Sequence, residues 1–437
     1  MRPNIVPSVD GIRRFPRPGA TGGVNLLRLI ARRTRALARE LTLPAPARAL
    51  RRTDHRGLPA TDPGRDVASR EVLAWLSRAQ DCSKSQDGGV ARHFSLLDGW
   101  SASYPETTGY LIPTLLSCAE VSEPEEAAAY RGRARRMLDW LVSLQFAEGG
   151  FPGGVVGELP SVPVTFNTGQ ILIGLAAGVA EFGDAYTEPM LRASNWLVQT
   201  QDPDGCWRKH PSPFAAPGDK AYETHVAWGL LEAANVSGRP DFRESALANV
   251  RWALGHQQAN GWFDHSCLED RSIPYTHALG YVLRGVLEAF RSSAEPDYLA
   301  AARRTADGAL SALAPDGYLP GRLRSDWSGA VNWACLTGTV QLACCWFLLH
   351  RLTGVESYRS AGLRANGYVR RTILLSGAEG VRGGVRGSFP IDGEYGQFQF
   401  LNWAAKFFLD SHLMEGGVFP QTWRDRFAPQ LAPPSHS

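Results

Sequence analysis

Three stretches of the chain repeat one spacing: WLVSLQFAEGGF from Trp140, WLVQTQDPDGCW from Trp196 and WALGHQQANGWF from Trp252. Each reads Trp, Gln five on, Gly nine on and an aromatic residue eleven on, and each begins 56 residues after the last. A period of this size marks supersecondary units that bury their apolar faces against their neighbours, not independent domains. Chemistry is therefore to be sought where the repeats differ from one another.

A second series is interleaved with the first. Thr108-Gly109, Thr168-Gly169, Thr224-His225, Thr276-His277 and Thr337-Gly338 each open an apolar run, with Asn402-Trp403 as an altered sixth member. Thr and Asn are good N-cap residues, so these positions are expected to cap helices. The runs that follow, such as ILIGLAAGVAEF from Ile171, are apolar on most faces, as suits a helix enclosed by others. Each unit thus predicts an outer helix, a Gly-aromatic turn and a buried inner helix. Trp75 to His412 spans about six such periods, which predicts an all-α fold, an (α/α)6 toroid of six helical hairpins over residues 68–415. A basic N-terminal extension (1–67) and a C-terminal tail (416–437) flank it.

With 437 residues, 44% of them hydrophobic, and 13 Trp, the chain can fill a sizeable core. Seven cysteines without regular spacing do not suggest a disulfide framework. No apolar stretch reaches the roughly 18 residues of a membrane span, and no secretory apolar core follows the N-terminus, so a cytoplasmic location is expected. Residues 1–65 carry 14 Arg against four acids, about +10, whereas the whole chain is +3; the remainder is near −7. Within the extension, VNLLRLIARRTRALAREL from Val24 reads as a basic amphipathic helix able to rest on the inner face of an anionic membrane or on an acidic partner. The acidic remainder offers nucleic acid no basic surface, and none is expected as a partner.

The Trp-Gln-Gly-aromatic pattern resembles the QW motif of the terpenoid cyclase and protein prenyltransferase toroids over roughly residues 70–412. The resemblance implies the architecture more than the activity. The Asp-x-Asp-Asp acid of class II terpenoid cyclases is missing, and the nearest match to the prenyltransferase zinc ligands is Asp264, His265 and Cys267, crowded within four residues. No metal and no cofactor are expected. The same toroid shape is shared by six-hairpin glycosidases, polysaccharide lyases and uronyl epimerases. That likeness implies a cleft at one rim, where the inner helices begin.

The segments expected at that rim are rich in polar and aromatic groups: Tyr104, Glu106 and Tyr110 before or in the first inner helix, Asn167 and Gln170 in the second, and Tyr222, Glu223 and His225 in the third. The fourth brings Tyr275, His277, Tyr281 and Arg284; later segments bring Trp333, Gln341, Tyr395, Asn402, Trp403 and Lys406. Rings with hydrogen-bonding groups suit a sugar. Two His follow the expected caps in adjacent units, where the helix dipole disfavours imidazolium and leaves a proton acceptor. His225, His277, Tyr222, Tyr275 and Glu106 are therefore the expected catalytic groups, and the others apart from Tyr110 the substrate-binding ones. For Arg284 the alternatives are a carboxylate such as Glu106 or Glu288 or that of a substrate; for Lys406 the neighbouring option is Asp410. GVRGGVRGSFP from Gly380 lacks the strand-loop-helix context of a phosphate cradle and reads as a rim loop.

These features lead to an enzyme acting on an acidic, uronic-acid-containing polysaccharide or oligosaccharide by proton abstraction, of lyase or epimerase type. The alternative is a glycoside hydrolase using two carboxyl groups drawn from Asp98, Glu106, Glu223 and Asp264. A terpenoid cyclase or prenyltransferase-like enzyme and a non-catalytic glycan-binding toroid are further readings.

Overall fold

The computed structural model describes residues 42–159, 161–216 and 218–427. The basic helix expected from Val24 lies outside them. Helix α1 (Ala45–Asp54) is followed by six hairpins, each an outer and then an inner helix: α2 (Arg65–Asp81) with α3 (Pro105–Glu120), α4 (Pro124–Ser143) with α5 (Thr165–Phe182), and α6 (Thr187–Thr200) with α7 (Thr224–Ser237). The second half continues with α8 (Pro240–Leu254) and α9 (Thr276–Ser293), α10 (Pro296–Ser311) and α11 (Leu336–Thr353), and α12 (Glu356–Arg370) and α13 (Asn402–Glu415), before a short α14 (Gln421–Arg426). Every inner helix packs on the next, and α13 packs back on α3 and α2, so the ring is closed. The chain is an (α/α)6 toroid.

The two rings differ as their sequences require. Helix α11 buries every residue from Leu336 to Leu349, whereas α4 buries one stripe, Ala127, Ala134, Met137, Leu138, Trp140 and Leu141. Outer helices α4, α8 and α10 begin with Pro in the first turn, where no amide donor is lost from the ladder.

The repeated Gln and Gly form the joint between neighbouring hairpins. Gln145, Gln201 and Gln257 each donate from Nε2 to the next outer helix: to Pro189 O at 2.9 Å, Ser245 O at 3.0 Å and Ala301 O at 2.9 Å. Gln80, five residues after Trp75, does the same towards Arg133 O at 3.3 Å. Six turn glycines, Gly88, Gly149, Gly205, Gly261, Gly317 and Gly383, have φ between +76° and +110°, and each lies against the backbone of the following outer helix. At Gly205 an added Cβ would stand 2.6 Å from Ala248 O. Gly383 makes the sixth contact, with Glu71 of α2, and seals the ring.

The interleaved Thr residues are not N-caps, contrary to expectation. Thr108 and Thr168 lie inside α3 and α5, whose N-cap positions are Tyr104 and Val164. Thr168 Oγ1 donates to Val164 O at 2.8 Å and accepts from Phe151 N at 2.9 Å, and Thr108 does the same between Tyr104 O and Val90 N. The hydroxyl thus pins α3 and α5 each to the strap that follows its partner's turn.

The rim also carries short strands that an all-α reading omits. In order β2-β1-β5, Gly99–Trp100, His93–Ser95 and Gln399–Leu401 form an antiparallel sheet joining the first hairpin to the last; β3 (Ala334–Cys335) pairs with β4 (Ser388–Phe389). The expected boundaries also move. Part of the extension belongs to the folded body: Asp54 accepts from Ile391 N at 2.9 Å and pairs with Arg386, and Asp62 pairs with Arg370 at 2.8 Å. Of the tail, α14 buries Trp423, whose Nε1 donates to Glu288 at 2.9 Å. Among the described residues no helix is long and apolar enough to cross a membrane.

Candidate active site

At the end of the toroid where the inner helices begin, a cleft opens between the rim loops. Its walls come from the first turns of α3, α5, α9 and α13 and from the straps before them. Tyr104, Glu106, Tyr222, His277, Tyr281, Tyr395 and Trp403, all singled out in the sequence, line it together with Tyr110. Arg92, Thr107, Phe166, Ser212, Phe214 and Leu268 complete the lining and were not singled out by the sequence.

Glu106 sits in the first turn of α3, where the helix dipole favours a carboxylate. Burial outweighs that effect and lifts its pKa to about 7, against the opposing influence of the Tyr104 hydroxyl, which donates to Glu106 Oε2, and of the Arg92 charge. It is the one carboxylate among the residues lining the cleft. Arg92 lies in a box of rings, its guanidinium carbon 5.6 Å from the centre of Tyr104, 5.2 Å from Phe214 and 5.4 Å from Trp403. Its Nε is buried without an acceptor, and no carboxylate among the described residues pairs with it.

His277 packs 4.7 Å from Tyr395 and 5.5 Å from Tyr281, ring centre to ring centre, and neither of its nitrogens has a partner. Burial and the Arg322 charge depress its pKa to about 3, so the ring is neutral. Burial also holds Tyr104, Tyr222, Tyr281 and Tyr395 protonated, as hydrogen-bond donors. Trp403 Nε1 donates to the Tyr395 hydroxyl at 2.8 Å, fixing both rings across the rim.

The other expected residues stand elsewhere, each for a packing reason. His225 lies below the cleft, bonded through Nδ1 to Gln170 Oε1 at 2.5 Å and packed 4.5 Å from Tyr281; burial lowers its pKa well below the usual range. His225 and Gln170 are thus partners in the core, not wall residues. Asn167 and Asn402 donate to the strap carbonyls of Pro152 and Ala91, and Gln341 is buried in α11. Tyr275 stacks 3.6 Å from the Arg322 guanidinium in a small cluster with Trp333 and Cys335. Glu223 is buried near Lys220, its carboxyl raised by burial. Of the remaining carboxylates, Asp98 accepts from Ser95 and Asp264 from Gln258, neither in the cleft. His265 packs on His256 at 4.6 Å. Arg284 and Lys406 belong to the opposite end of the ring, paired with Glu288 at 2.6 Å and Asp410 at 2.5 Å.

No family model matches the chain. Over 103 residues, 23% of its length, it is 32% identical to an ent-copalyl diphosphate synthase of Streptomyces sp. (strain KO-3988), and the match spans only 18% of that enzyme. Solved structures resemble it over far more of its length. They include an unsaturated glucuronyl hydrolase specific for heparin (TM-score 0.64, 14% identity, 81% of this chain and 98% of that one) and a D-mannose isomerase (0.63, 12%, 83% and 100%). A cellobiose 2-epimerase from Bacillus thermoamylovorans follows (0.62, 11%, 80% and 98%). At these identities the likeness establishes the six-hairpin toroid.

Proposed function

We propose that the chain is an enzyme acting on an acidic, uronic-acid-containing sugar by moving the proton on the carbon next to the carboxylate. The observation that carries this reading is the proximity of an unpaired cation, Arg92, to a lone carboxyl group, Glu106, whose pKa stands at about 7. Arg92 supplies a charge-assisted anchor for the substrate carboxylate, framed by rings that accept the apolar faces of the sugar. Glu106 is the group that takes the proton, because a base works best when its pKa lies near the operating pH. An anionic substrate neutralises Arg92 and so raises the basicity of Glu106 further. His277, at about 3, is too weak a base for that task and serves as a neutral hydrogen-bonding wall.

In elimination the C5–H electrons form a C4=C5 bond, the C4–O bond breaks, and a Tyr222 or Tyr281 hydroxyl gives the leaving oxygen its proton. In epimerisation the C5–H electrons instead stay on C5, delocalised into the carboxylate, and a Tyr222 or Tyr281 hydroxyl gives a proton to the opposite face. Support for a sugar comes from the fold's other users named above, which are sugar enzymes by name. Hydrolysis by a pair of carboxyl groups is less well supported, since Glu106 has no second carboxylate beside it in the cleft. The test is incubation with a panel of uronic-acid oligosaccharides in deuterated water. Ultraviolet absorbance from a new unsaturated uronate identifies elimination, and deuterium at C5 without absorbance identifies epimerisation. New reducing ends with neither signal overturn the reading in favour of hydrolysis.

A further inference from the structure

The toroid has a second cavity, away from the cleft, of about 400 Å³ and partly open to solvent, between α3, α5, α7, α9 and α13 and the start of α14. Tyr110 and Tyr281 of the cleft pack on His225 and Phe407, and His225 packs in turn on Trp228 of the second cavity. The walls are largely apolar, with Pro113, Leu116, Ile173 and Ala176 among them. Charges stand at the base. Arg284 is 4% exposed and stacks 4.0 Å from the centre of Trp228, and Lys406, 1% exposed, lies 5.8 Å from the same ring.

The charges in and behind the cavity pair off: Arg284, Arg291 and Lys406 face Glu288, Glu232 and Asp410, and the lining carboxylates Glu120 and Glu181 are held by Arg424 and Arg131. The hydrogen bonds do not. Glu288 accepts from Arg284, Arg291 and Trp423, Glu232 from Trp228 and Arg291, and Asp410 from Thr114 and Lys406. Arg284 spends only Nε on Glu288, leaving both terminal nitrogens without an acceptor among the described residues, and Lys406 makes one bond out of three. Cationic donors with spare hydrogen-bonding capacity that face a cavity with an apolar body offer a place for an anionic acceptor from outside.

We infer that this cavity is a binding site for an amphipathic molecule with one anionic head, a carboxylate or a phosphate, held by Arg284 and Lys406, and a hydrocarbon body lying between α3 and α5. The Trp228 ring fixes the guanidinium plane and presents its fork to the head. The cleft and this cavity have no lining residue in common.

Isothermal titration of the full chain with dodecanoate, dodecyl phosphate, dodecanol and inorganic phosphate, all below micelle formation, tests it. Saturable binding of one equivalent of dodecanoate or dodecyl phosphate is expected, with dodecanol and inorganic phosphate each at least about tenfold weaker. Dodecanoate binding alone assigns a carboxylate head, and dodecyl phosphate alone a phosphate head. Ala177→Phe, which fills the cavity wall without touching the charges, should abolish binding, and Arg284→Lys, which keeps the charge facing Glu288 but loses the fork, should weaken it about tenfold. Absence of saturable binding by either anionic amphiphile overturns the site, as does binding undiminished in Ala177→Phe. Inorganic phosphate binding as tightly as dodecyl phosphate overturns the amphipathic assignment.

Discussion

The Arg92 guanidinium stands 5.4 Å from the Trp403 ring centre, so the strap before the first inner helix and the first turn of the last one meet over the same cleft. Both ends of the described ring therefore contribute to one binding wall. Removing the cation while keeping a polar hydrogen-bonding side chain tests its part in recognition. Arg92→Gln is expected to raise KM for an acidic oligosaccharide by ~10–100-fold, the equivalent of the ~1.5–3 kcal/mol of a hydrogen bond to a charged group. The methyl ester of the same substrate should be bound equally by both proteins; a KM change of equal size for the ester would remove Arg92 from carboxylate recognition.

Glu106 gives a pH signature in both rate and stability. If it takes the proton, kcat/KM climbs with pH through about 7 and then levels, and Glu106→Gln loses that limb and ~10²–10⁴-fold in rate. Burial raises its folded pKa above the ordinary glutamate value of 4.5, so the folded state holds a proton that the unfolded state has released. Stability from this group is full below 4.5 and falls as pH rises towards 7, by ~3 kcal/mol at most. Urea unfolding across that window should show the fall in the wild type and not in Glu106→Gln.

Buried imidazoles give the opposite slope. His277 and His412 are depressed to about 3 by burial and neighbouring positive charge, so below pH 6.5 the unfolded chain takes up protons that the folded one refuses. Stability drops as pH falls from 6.5 towards 3, by up to ~1.4 kcal/mol per pH unit for each ring. Replacing His412, remote from the cleft and stacked on Phe408, by Asn should flatten the acid slope measured by thermal unfolding between pH 4 and 6.5 without altering KM.

At the seams between hairpins, glycine is required on two counts, conformation and space. Gly261→Ala puts a methyl group on a residue at φ +84° and against the Arg304 backbone, and is expected to cost ~2 kcal/mol or more. Gly132→Ala, inside α4 with open space around the added carbon, should stabilise by about 0.5–1 kcal/mol. Calorimetric Tm shifts of the same sign for the two would contradict the joint as described.

The architecture was legible because the joint itself recurs: Gln at +5 and Gly at +9 are the residues that bind one hairpin to the next. Two seams were harder to see. Gly88 follows Trp75 after a longer turn than the later repeats use, and Gly383 sits in GVRGGVRGSFP, whose glycine richness conceals which one makes the contact. For the site, position along a helix was readable but facing was not. His225 and His277 occupy equivalent places, yet Gln170 draws the first into the core while the second borders the cleft. Arg92 was passed over because nothing periodic marks it; only folding brings its strap beneath Trp403. Lys406 and Arg284 were placed at the wrong rim, since Tyr281 and Arg284 are only three residues apart and a single turn of helix separates the two cavities.

The contact of Gly383 with Glu71 has a mechanical meaning. An open array of hairpins ends in two units with one neighbour each, and these fray first and let unfolding creep inwards. Here every hairpin is gripped on both sides, and detaching any one means breaking two seams at once. Such a hoop has no soft end from which to unravel, so partial opening is penalised wherever it starts and the six units are driven to melt as one.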